Sequence, residues 1–525
     1  SRIWSAYLQD DWKLTSKLTL NLGLRYELEF PTTERYNRSV LGFDNTTPSP
    51  LQTQARANYA SNPIPQIPAD QFRVVGGLTF AGVGGNPRGL WSSDRNNFVP
   101  RVGFAYAIDP KTVVRGGVGL FFDQLGILRR QVNQTGFSRS TSFVASQDNG
   151  LTFIANLTNP FPNGFDRPVG AGLGIMTNAG QSISFFNPSL TNPYMERWQI
   201  GVQRQLPHQA VIEVAYVGNH GSDLRVSRQL DPVPRQYYST SPVRDQATID
   251  FLSAQVRNPF YPMLPGTSLS GSNVSRSQLL RPYPQFTSIS RDTNEGYSRY
   301  ASLQTRFEKR LSAGYTVNVA WTWAKLLEAT GFLNDTDPIP ERVVSDQDRT
   351  HRIVISGLWE LPLGKGRRFA ASVNPVLNKI IEGWQAQAIF QGQSGAPLGF
   401  GNAIFTGDLH NIPLPKNQRT IYRWFNIDAG FERASARQLG SNIRTFSTRF
   451  SGVRGDGLNN WDLSIVKNTS FTERVRLQFR SEFINALNHA QFSNPNTTPT
   501  SSSFGRVTSS SQWPRTIQFA LKLLF

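Results

Sequence analysis

Residues 18–30 read Leu-Thr-Leu-Asn-Leu-Gly-Leu-Arg-Tyr-Glu-Leu-Glu-Phe, and this stretch decides the fold class. Its even positions are all leucine, tyrosine or phenylalanine, whereas its odd positions are Thr, Asn, Gly, Arg and Glu. A strand sorts such residues onto one apolar and one polar face, whereas a helix would scatter them around its axis. The run is longer than an ordinary soluble strand and long enough for a tilted membrane-spanning strand, which needs about 9–11 residues. The alternation therefore predicts a membrane-spanning β-strand.

The same alternation recurs along the chain and predicts about 13 long strands. The predicted strands cover residues 2–13, 18–30, 98–108, 112–122, 196–204, 210–218, 299–311, 315–324, 351–361, 383–391, 460–468, 474–485 and 515–525. Two further segments, 444–450 and 504–507, could each add a strand. Short turns alternate with long loops, which are expected at residues 31–97, 123–195, 219–298, 325–350, 392–459 and 486–514.

The alternation of short and long connections indicates the type of sheet. Six long loops are unusual in a compact soluble domain. Short periplasmic turns and long extracellular loops are typical of outer-membrane barrels. The sequence therefore predicts an all-β fold, a transmembrane antiparallel β-barrel in the outer membrane of a Gram-negative bacterium. A β-sandwich or a propeller also alternates, but its strands and loops would be shorter.

Composition narrows the class of protein further. The 525 residues include no cysteine, 12% aromatic residues and only 17% charged residues, with a formal charge of +18. The aromatic content argues against a disordered chain, and the absence of cysteine excludes disulfide scaffolds and Cys-ligated metal sites. No stretch of about 18 uninterrupted apolar residues is present, so no membrane-spanning helix is expected.

The end of the chain carries a second signal of an outer-membrane protein. Alternate positions of the last predicted strand are apolar, and the chain ends on phenylalanine; these residues are Ile517, Phe519, Leu521, Leu523 and Phe525. Such an ending resembles the signal that the barrel-assembly machinery reads. With short turns in the periplasm, an odd number of strands places Ser1 outside the cell, so we expect further strands before Ser1.

Several motifs resemble known proteins. The segment Tyr-Leu-Gln-Asp-Asp-Trp-Lys at 7–13, together with residues 18–27, resembles the barrel of TonB-dependent transporters. Three further stretches resemble the Oar-like subfamily: Gly-Lys-Gly-Arg-Arg-Phe at 364–369, Gly-Trp-Gln at 383–385 with Gln-Ser-Gly-Ala-Pro at 393–397, and the run from Phe479 to Phe492. The similarity covers nearly the whole chain.

The resemblance implies an architecture and a set of partners. It implies a 22-stranded barrel filled by an N-terminal plug domain, with residues 1–525 as the barrel domain, without the plug and the first strands. The plug would couple the barrel to periplasmic TonB and an inner-membrane energy complex. Extracellular loops would capture an unknown ligand, which would then pass to the periplasm. Outer-membrane lipid and lipopolysaccharide would surround the barrel.

Two alternatives of other classes remain open. A structural or adhesive outer-membrane barrel would bind partners without energised transport. A soluble secreted β-rich glycan-binding protein or hydrolase would need no detergent. We expect neither an enzyme nor a cofactor, because Gly392–Ala396 departs from a nucleophile elbow at Ala396 and the five histidines show no i,i+4 pair.

The positive charge has its own interpretation. Arg25, Arg115, Arg476 and Arg480 alternate with apolar residues in predicted strands, so we expect them to face the lumen. We favour pairing with Glu27, with Glu482 or with acids of a plug. The alternative is a basic pore for anionic solutes, or binding of lipopolysaccharide phosphates by basic loop residues. Basic residues are spread along the chain without a nucleic-acid-binding motif, so no nucleic-acid partner is expected.

One acidic loop offers carboxylates to a metal. Asp335 and Asp337, with Asp346 and Asp348 nearby, could bind Ca²⁺. The spacing lacks the glycine and the distal glutamate of a twelve-residue calcium loop. Solvated loop acids are the preferred interpretation, so the sequence predicts no metal site and no catalytic residue.

Overall fold

A computed structural model describes residues 2–128, 132–148 and 150–525 of the protein. Long antiparallel strands dominate the structure, and the helices lie in the connections between them. The strands, in chain order, are β1 (Arg2–Lys13), β2 (Leu18–Phe30), β3 (Val40–Pro48), β4 (Val75–Phe80), β5 (Phe98–Asp109), β6 (Thr112–Phe122), β7 (Ser182–Phe186), β8 (Tyr194–Leu206), β9 (Ala210–Gln229), β10 (Gln255–Arg257), β11 (Asn273–Ser275), β12 (Ser288–Ser312), β13 (Tyr315–Ala329), β14 (Val343–Val344), β15 (His351–Glu360), β16 (Trp384–Gln393), β17 (Pro397–Leu398), β18 (Phe450–Arg454), β19 (Leu458–Ser470), β20 (Arg476–Ile484) and β21 (Thr516–Leu524). The helices are α1 (Gln52–Ala60), α2 (Leu125–Leu128), α3 (Gln246–Ser253), α4 (Arg276–Leu279) and α5 (Pro375–Ile381). None of these helices is both long enough and apolar enough to cross a membrane.

Thirteen long strands form one antiparallel meander, which confirms the predicted fold class. Their order in the sheet is β1-β2-β5-β6-β8-β9-β12-β13-β15-β16-β19-β20-β21, so each long strand pairs with its neighbours in sequence. β7 joins the sheet beside β12, and β14 joins it beside β13. β1 and β21 form the two edges, and the sheet is not closed.

The predicted strands agree with the observed ones, with one substantial correction. β1, β2 and β6 begin and end at the predicted residues. The loop predicted at residues 219–298 is wrong in its bounds, because β9 continues to Gln229 and β12 begins at Ser288. The segments at 444–450 and 504–507 add no long strand, because β18 pairs only with β17 and 504–507 is not a strand.

Short and long connections lie at opposite ends of the sheet. One end carries the turns β1–β2, β5–β6, β8–β9, β12–β13 and β19–β20, together with the longer β15–β16 connection, which contains α5. The other end carries the six long connections between the remaining pairs of neighbouring strands. This is the one-sided arrangement that the sequence predicted and that outer-membrane barrels show.

Cross-strand register gives the sheet one apolar face and one polar face. Leu22 of β2 lies opposite Val102 of β5, which lies opposite Val118 of β6, and Val118 lies opposite Trp198 of β8. The neighbouring residue Asn21 belongs to the other face, where its amide donates to the Asp11 carboxylate over 2.5 Å. The period of two therefore holds across strands as well as along them.

Aromatic rings cluster on the apolar face near the ends of strands. At the long-loop end, the ring centroid of Tyr26 lies 6.0 Å from that of Trp4 and 5.0 Å from that of Phe98. Trp359 lies on the same face near the opposite end of the sheet and is half exposed. Amphipathic rings at these two levels suit the two membrane–water interfaces.

The large buried side chains lie mainly in the long connections. Phe72, Phe260 and Leu279 belong to one cluster, which draws on three of these connections. Phe400, Phe425 and Phe504 belong to a second cluster, contributed by the β16–β19 and β20–β21 connections. These connections are therefore packed against each other into a layer with hydrophobic cores of its own.

Candidate functional site

Arginine and glycine alternate in one row across the polar face of β2, β5, β6 and β8. Gly23 lies opposite Arg101, Arg101 opposite Gly119, and Gly119 opposite Arg197. Glycine contributes no side chain, and a cleft of 410 Å³ opens here between residues that include both arginines. The row therefore offers two guanidinium groups to whatever occupies the cleft.

Arg101 and Arg197 of this cleft, and Arg115 on the same face of the sheet, are not neutralised by acids of the described residues. The Arg101 guanidinium carbon lies 4.7 Å from the ring centroid of Phe121, which holds it by a cation–π contact. Within residues 2–128, 132–148 and 150–525, Arg101, Arg115 and Arg197 form no ion pair. Three cations without acidic partners on one face favour binding of an anionic group or of an acidic protein surface.

The four arginines predicted to face the lumen all lie on the polar face of the sheet. Arg25 forms an ion pair with Glu27 over 2.6 Å, and Arg480 forms one with Glu482 over 3.2 Å. Arg115 and Arg476 are exposed and have no ion pair within the described ranges. Arg25 and Arg115 lie in β2 and β6, whereas Arg476 and Arg480 lie in β20, near the other edge of the sheet.

A buried glutamate joins the polar face to the long connections. The Glu29 carboxylate is only 4% exposed and accepts hydrogen bonds from the backbone N–H groups of Leu125 and Gly126, over 2.8 and 2.9 Å. The Asn192 side chain also donates to it, over 3.2 Å. The first N–H groups of a helix need acceptors, so Glu29 fixes α2 above β2. Sequence reasoning missed this role, because Glu29 is one polar residue among several on its strand.

The four candidate calcium ligands do not converge on a common point. Asp337 accepts a hydrogen bond from Arg235 over 2.6 Å, and Asp348 is fully buried and paired with Arg454 over 2.5 Å. Asp335 and Asp346 are exposed. No group of three or more His, Asp or Glu side chains in the described part of the chain could hold a metal ion. Arginines therefore satisfy the two inward-facing carboxylates and link neighbouring connections.

Asp231 is a buried acid two residues after the end of β9, where the chain enters a long connection. Burial raises the pKa of its carboxyl from 3.8 to about 8, although the Tyr283 N–H donates to it over 2.8 Å. Its second oxygen has no hydrogen-bond partner among the described residues. Asp231 is therefore neutral over much of the physiological range, and its ionisation would disturb the packing of this connection.

The connection between β6 and β8 exposes apolar side chains to solvent. Leu157 is fully exposed, and Phe153 and Phe165 are 74% and 72% exposed. The ring of Phe165 lies 4.8 Å from that of Phe161, which forms a small aromatic surface. Exposed aromatic groups of this kind are enriched at sites that bind partners or ligands.

The predicted assembly signal forms the last strand of the sheet. Ile517, Phe519, Leu521 and Leu523 share the apolar face of β21 and are between 48% and 68% exposed. β21 pairs with β20 along one side, and the terminal Phe525 is 97% exposed. The side chains thus have the alternating arrangement that the sequence predicted, while their recognition by the assembly machinery stays a prediction.

Comparison with known proteins adds an independent observation. Residues 1–518 match the family described as "Outer membrane beta barrel domain". No curated protein matches the sequence.

Solved structures similar to this chain include three outer-membrane proteins. The pyoverdine outer-membrane receptor FpvA from Pseudomonas aeruginosa has 11% identity and a TM-score of 0.40, over 100% of this chain and 42% of its own. The transporter YddB from Escherichia coli has 9% identity and a TM-score of 0.43, over 99% of this chain and 53% of its own. The siderophore receptor PirA from Acinetobacter baumannii has 9% identity and a TM-score of 0.41, over 100% of this chain and 46% of its own. The chain thus spans about half the length of these proteins, or less.

The match to the family covers residues 1–518, far more than half of the chain. The antiparallel meander, its two faces and the long connections at one end agree with this family. The protein lies in the outer membrane of a Gram-negative bacterium. The chain belongs to the outer-membrane β-barrel domain family.

Proposed function

We propose that this chain is the barrel domain of a TonB-dependent receptor and transporter of the Oar-like type. In this proposal the long connections bind an extracellular ligand, and the polar face lines the lumen. Passage of the ligand to the periplasm would depend on an N-terminal plug domain coupled to TonB. The observation that carries the proposal is the ordered layer of long connections with its own hydrophobic cores.

The layer of long connections supports a receptor role because buried contacts join the connections while aromatic side chains of one connection stay exposed. Buried ion pairs, such as Arg454 with Asp348, hold neighbouring connections together. The exposed side chains of Phe153, Leu157 and Phe165 lie within one of these connections. A rigid scaffold that presents exposed aromatic groups is the common arrangement of loop-built binding sites.

The unpaired arginines support the presence of a plug. Arg101, Arg115 and Arg197 lie on the polar face without an acid of the described residues. Acidic groups of a plug would neutralise them, as would an anionic solute in a basic pore. We favour the plug, because Arg25 and Arg480 already show that acids satisfy arginines on this face.

Energised uptake tests the proposal. Cells that produce the full-length protein would be given three labelled probes in turn: an oligosaccharide, a peptide and a ferric chelate. We expect one of them to accumulate inside the cells, and a protonophore to abolish accumulation but not surface binding. Deletion of residues 150–166 should abolish both. Surface binding without protonophore-sensitive uptake would contradict transport and favour the adhesive alternative.

A further inference from the structure

A groove of 820 Å³ crosses the apolar face of β13, β15, β16, β19 and β20. Its floor is made of small residues, because Gly357 lies opposite Ala388, and Ala386 lies beside them in the same strand as Ala388. Val317 lies beside Gly357 on one side of this floor, and Leu463 lies beside Ala388 on the other. A row of small residues between large ones gives an elongated apolar channel of the size that proteins use for small ligands.

The groove lies near the short-turn end of the sheet. Tyr315, which follows the β12–β13 turn directly, and Trp359, the second-last residue of β15, both line it. In an outer-membrane barrel the short turns face the periplasm. The groove therefore faces the periplasmic leaflet of the membrane, which contains phospholipid.

A basic segment connects the two strands that form the floor of the groove. Lys365, Arg367 and Arg368 lie in the β15–β16 connection and are all exposed. In the ranges 2–128, 132–148 and 150–525, no carboxylate forms an ion pair with any of them. The nearby acid Glu382 is already paired with Lys379 over 3.8 Å. Three neighbouring cations are thus free to bind an external anion.

Backbone and side-chain contacts hold this basic segment beside the groove. The Leu361 N–H donates to the Trp384 carbonyl over 2.9 Å, which closes the connection next to the first residue of β16. The Asn378 side chain of α5 accepts a hydrogen bond from the Lys365 N–H over 2.6 Å. The Lys467 ammonium of β19 donates to the Lys379 carbonyl over 2.7 Å. These contacts hold the backbone of the connection at the end of the groove, while the three charged side chains stay exposed.

Helix α5 presents apolar residues next to the same cations. Val376 is 75% exposed, Leu377 is 43% exposed and Ile380 is 60% exposed. Exposed apolar residues beside lysine and arginine are typical of segments that lie in the membrane interface. The β15–β16 connection therefore offers exposed cations and exposed apolar side chains together, at the short-turn end of the sheet.

We propose that this face binds one anionic phospholipid of the periplasmic leaflet. An acyl chain fills the groove over Gly357, Ala386 and Ala388, and the headgroup phosphate contacts Lys365 and Arg367 or Arg368. Basic residues close to a membrane surface each favour anionic lipid, and arginine also binds phosphate through two parallel hydrogen bonds. The bound lipid would fix the β15–β16 connection against the membrane.

The charge arm of the test compares two lipids with identical acyl chains. Protein purified from outer membranes would be titrated in detergent with phosphatidylglycerol or phosphatidylcholine, and bound lipid would be counted by native mass spectrometry. We expect tighter binding of phosphatidylglycerol. The variant K365Q/R367Q/R368Q should lose about 100-fold in affinity for it, at about fivefold per basic residue, with little change for phosphatidylcholine.

A matched control variant separates the effect of these three residues from a general loss of positive charge. The variant K13Q/K17Q/K111Q removes three exposed lysines in or next to other short turns and should bind phosphatidylglycerol as the unmodified protein does. Equal affinity of the unmodified protein for both lipids would overturn the proposal. So would an equal loss of phosphatidylglycerol binding in the two triple variants.

The groove arm tests the acyl-chain site separately. Ala388→Phe fills the floor of the groove and should weaken binding of both lipids at least tenfold. Ala301→Phe places the same side chain on the apolar face of β12, outside the groove, and should leave binding unchanged. Unchanged lipid binding by A388F would overturn the proposal. A lipid-free dimer that A388F dissociates would also overturn it, because a second copy would then occupy the groove.

Discussion

Replacing Leu22 by arginine tests which face of the sheet meets lipid. Leu22 is 40% exposed on the apolar face, between Asp10 of β1 and Val102 of β5. An arginine on the lipid side of a barrel costs about 2–4 kcal/mol near the middle of the membrane and much less near the interfaces. Leu22 lies five residues into β2 from the short-turn end, about 15 Å along the strand, which is close to the middle of the apolar band.

The neighbouring residue provides the matched control. Asn21→Arg places the same side chain on the polar face, beside the Asp11 carboxylate that Asn21 already contacts. There water hydrates both the guanidinium and the Asp11 carboxylate, so we expect a change below about 1 kcal/mol. At position 22 the opposing Asp10 lies on the lipid side as well, where neither charged group is hydrated. The difference between the two variants should therefore be at least about 2 kcal/mol, which is a factor of roughly 30 in the folded population.

The assay is reversible guanidinium unfolding of the protein in phosphatidylcholine vesicles, followed by tryptophan fluorescence. Each variant is compared with the unmodified protein at equal lipid-to-protein ratio. We expect a lower transition midpoint for Leu22→Arg and an almost unchanged one for Asn21→Arg. Equal midpoints, or a larger loss for Asn21→Arg, would refute the assignment of the two faces.

Three further predictions concern the end of the chain and the long connections. Deletion of Phe525 should lower the yield of heat-modifiable barrel in outer-membrane fractions, and an unchanged yield would contradict its role in assembly. Asp231 has a folded pKa of about 8 against 3.8 unfolded, so its connection should be most stable below about pH 4 and lose stability as the pH rises to about 8. Asp231→Asn should remove this pH dependence and add about 4 kcal/mol of local stability at pH 7, measured by hydrogen exchange. The same pH dependence in the variant and the unmodified protein would disprove this role of Asp231. Arg454→Ala should leave the fully buried Asp348 carboxylate unpaired and cost about 3 kcal/mol of local stability, seen as faster proteolysis of residues 330–350, whereas unchanged proteolysis would show that the pair stabilises nothing.

The strands could be predicted from the sequence because the membrane imposes the pattern. A side chain such as Leu22 must be apolar where it meets lipid, whereas its neighbour Asn21 on the other face can be polar. The resulting alternation can be read within a single strand. This alternation ends where the strands leave the membrane. The upper part of β12 buries Ile289 in the layer of long connections, and without lipid on one face its sequence alternates weakly. This is why the sequence placed the start of that strand at residue 299.

The architecture of the long connections could not be predicted, because it depends on contacts between residues far apart in sequence. Phe72 packs near Phe260 with ring centroids 6.4 Å apart, although 188 positions separate them (260 minus 72). The hydrogen bond that the Leu125 N–H donates to the Glu29 carboxylate similarly spans 96 positions. Local sequence patterns do not show which distant residues will form such contacts.

The charges on the polar face were predicted in part. Alternation placed Arg25 and Arg480 on that face, and nearby acids suggested their pairing with Glu27 and Glu482, which the structure shows. The cleft between Arg101 and Arg197 was not predicted, because it depends on cross-strand register with Gly23 and Gly119. Register is set by pairing between strands and cannot be read along one strand.

The orientation of the barrel is tested most directly by labelling single cysteines in intact cells, because the chain contains no cysteine of its own. Asn163→Cys lies in the long β6–β8 connection, and Lys111→Cys lies in the short β5–β6 turn; both positions are exposed. A membrane-impermeant maleimide should label Cys at position 163 on intact cells, and position 111 only after the outer membrane is permeabilised. Labelling of position 111 but not 163 on intact cells would contradict the account, because the long connections would then face the periplasm.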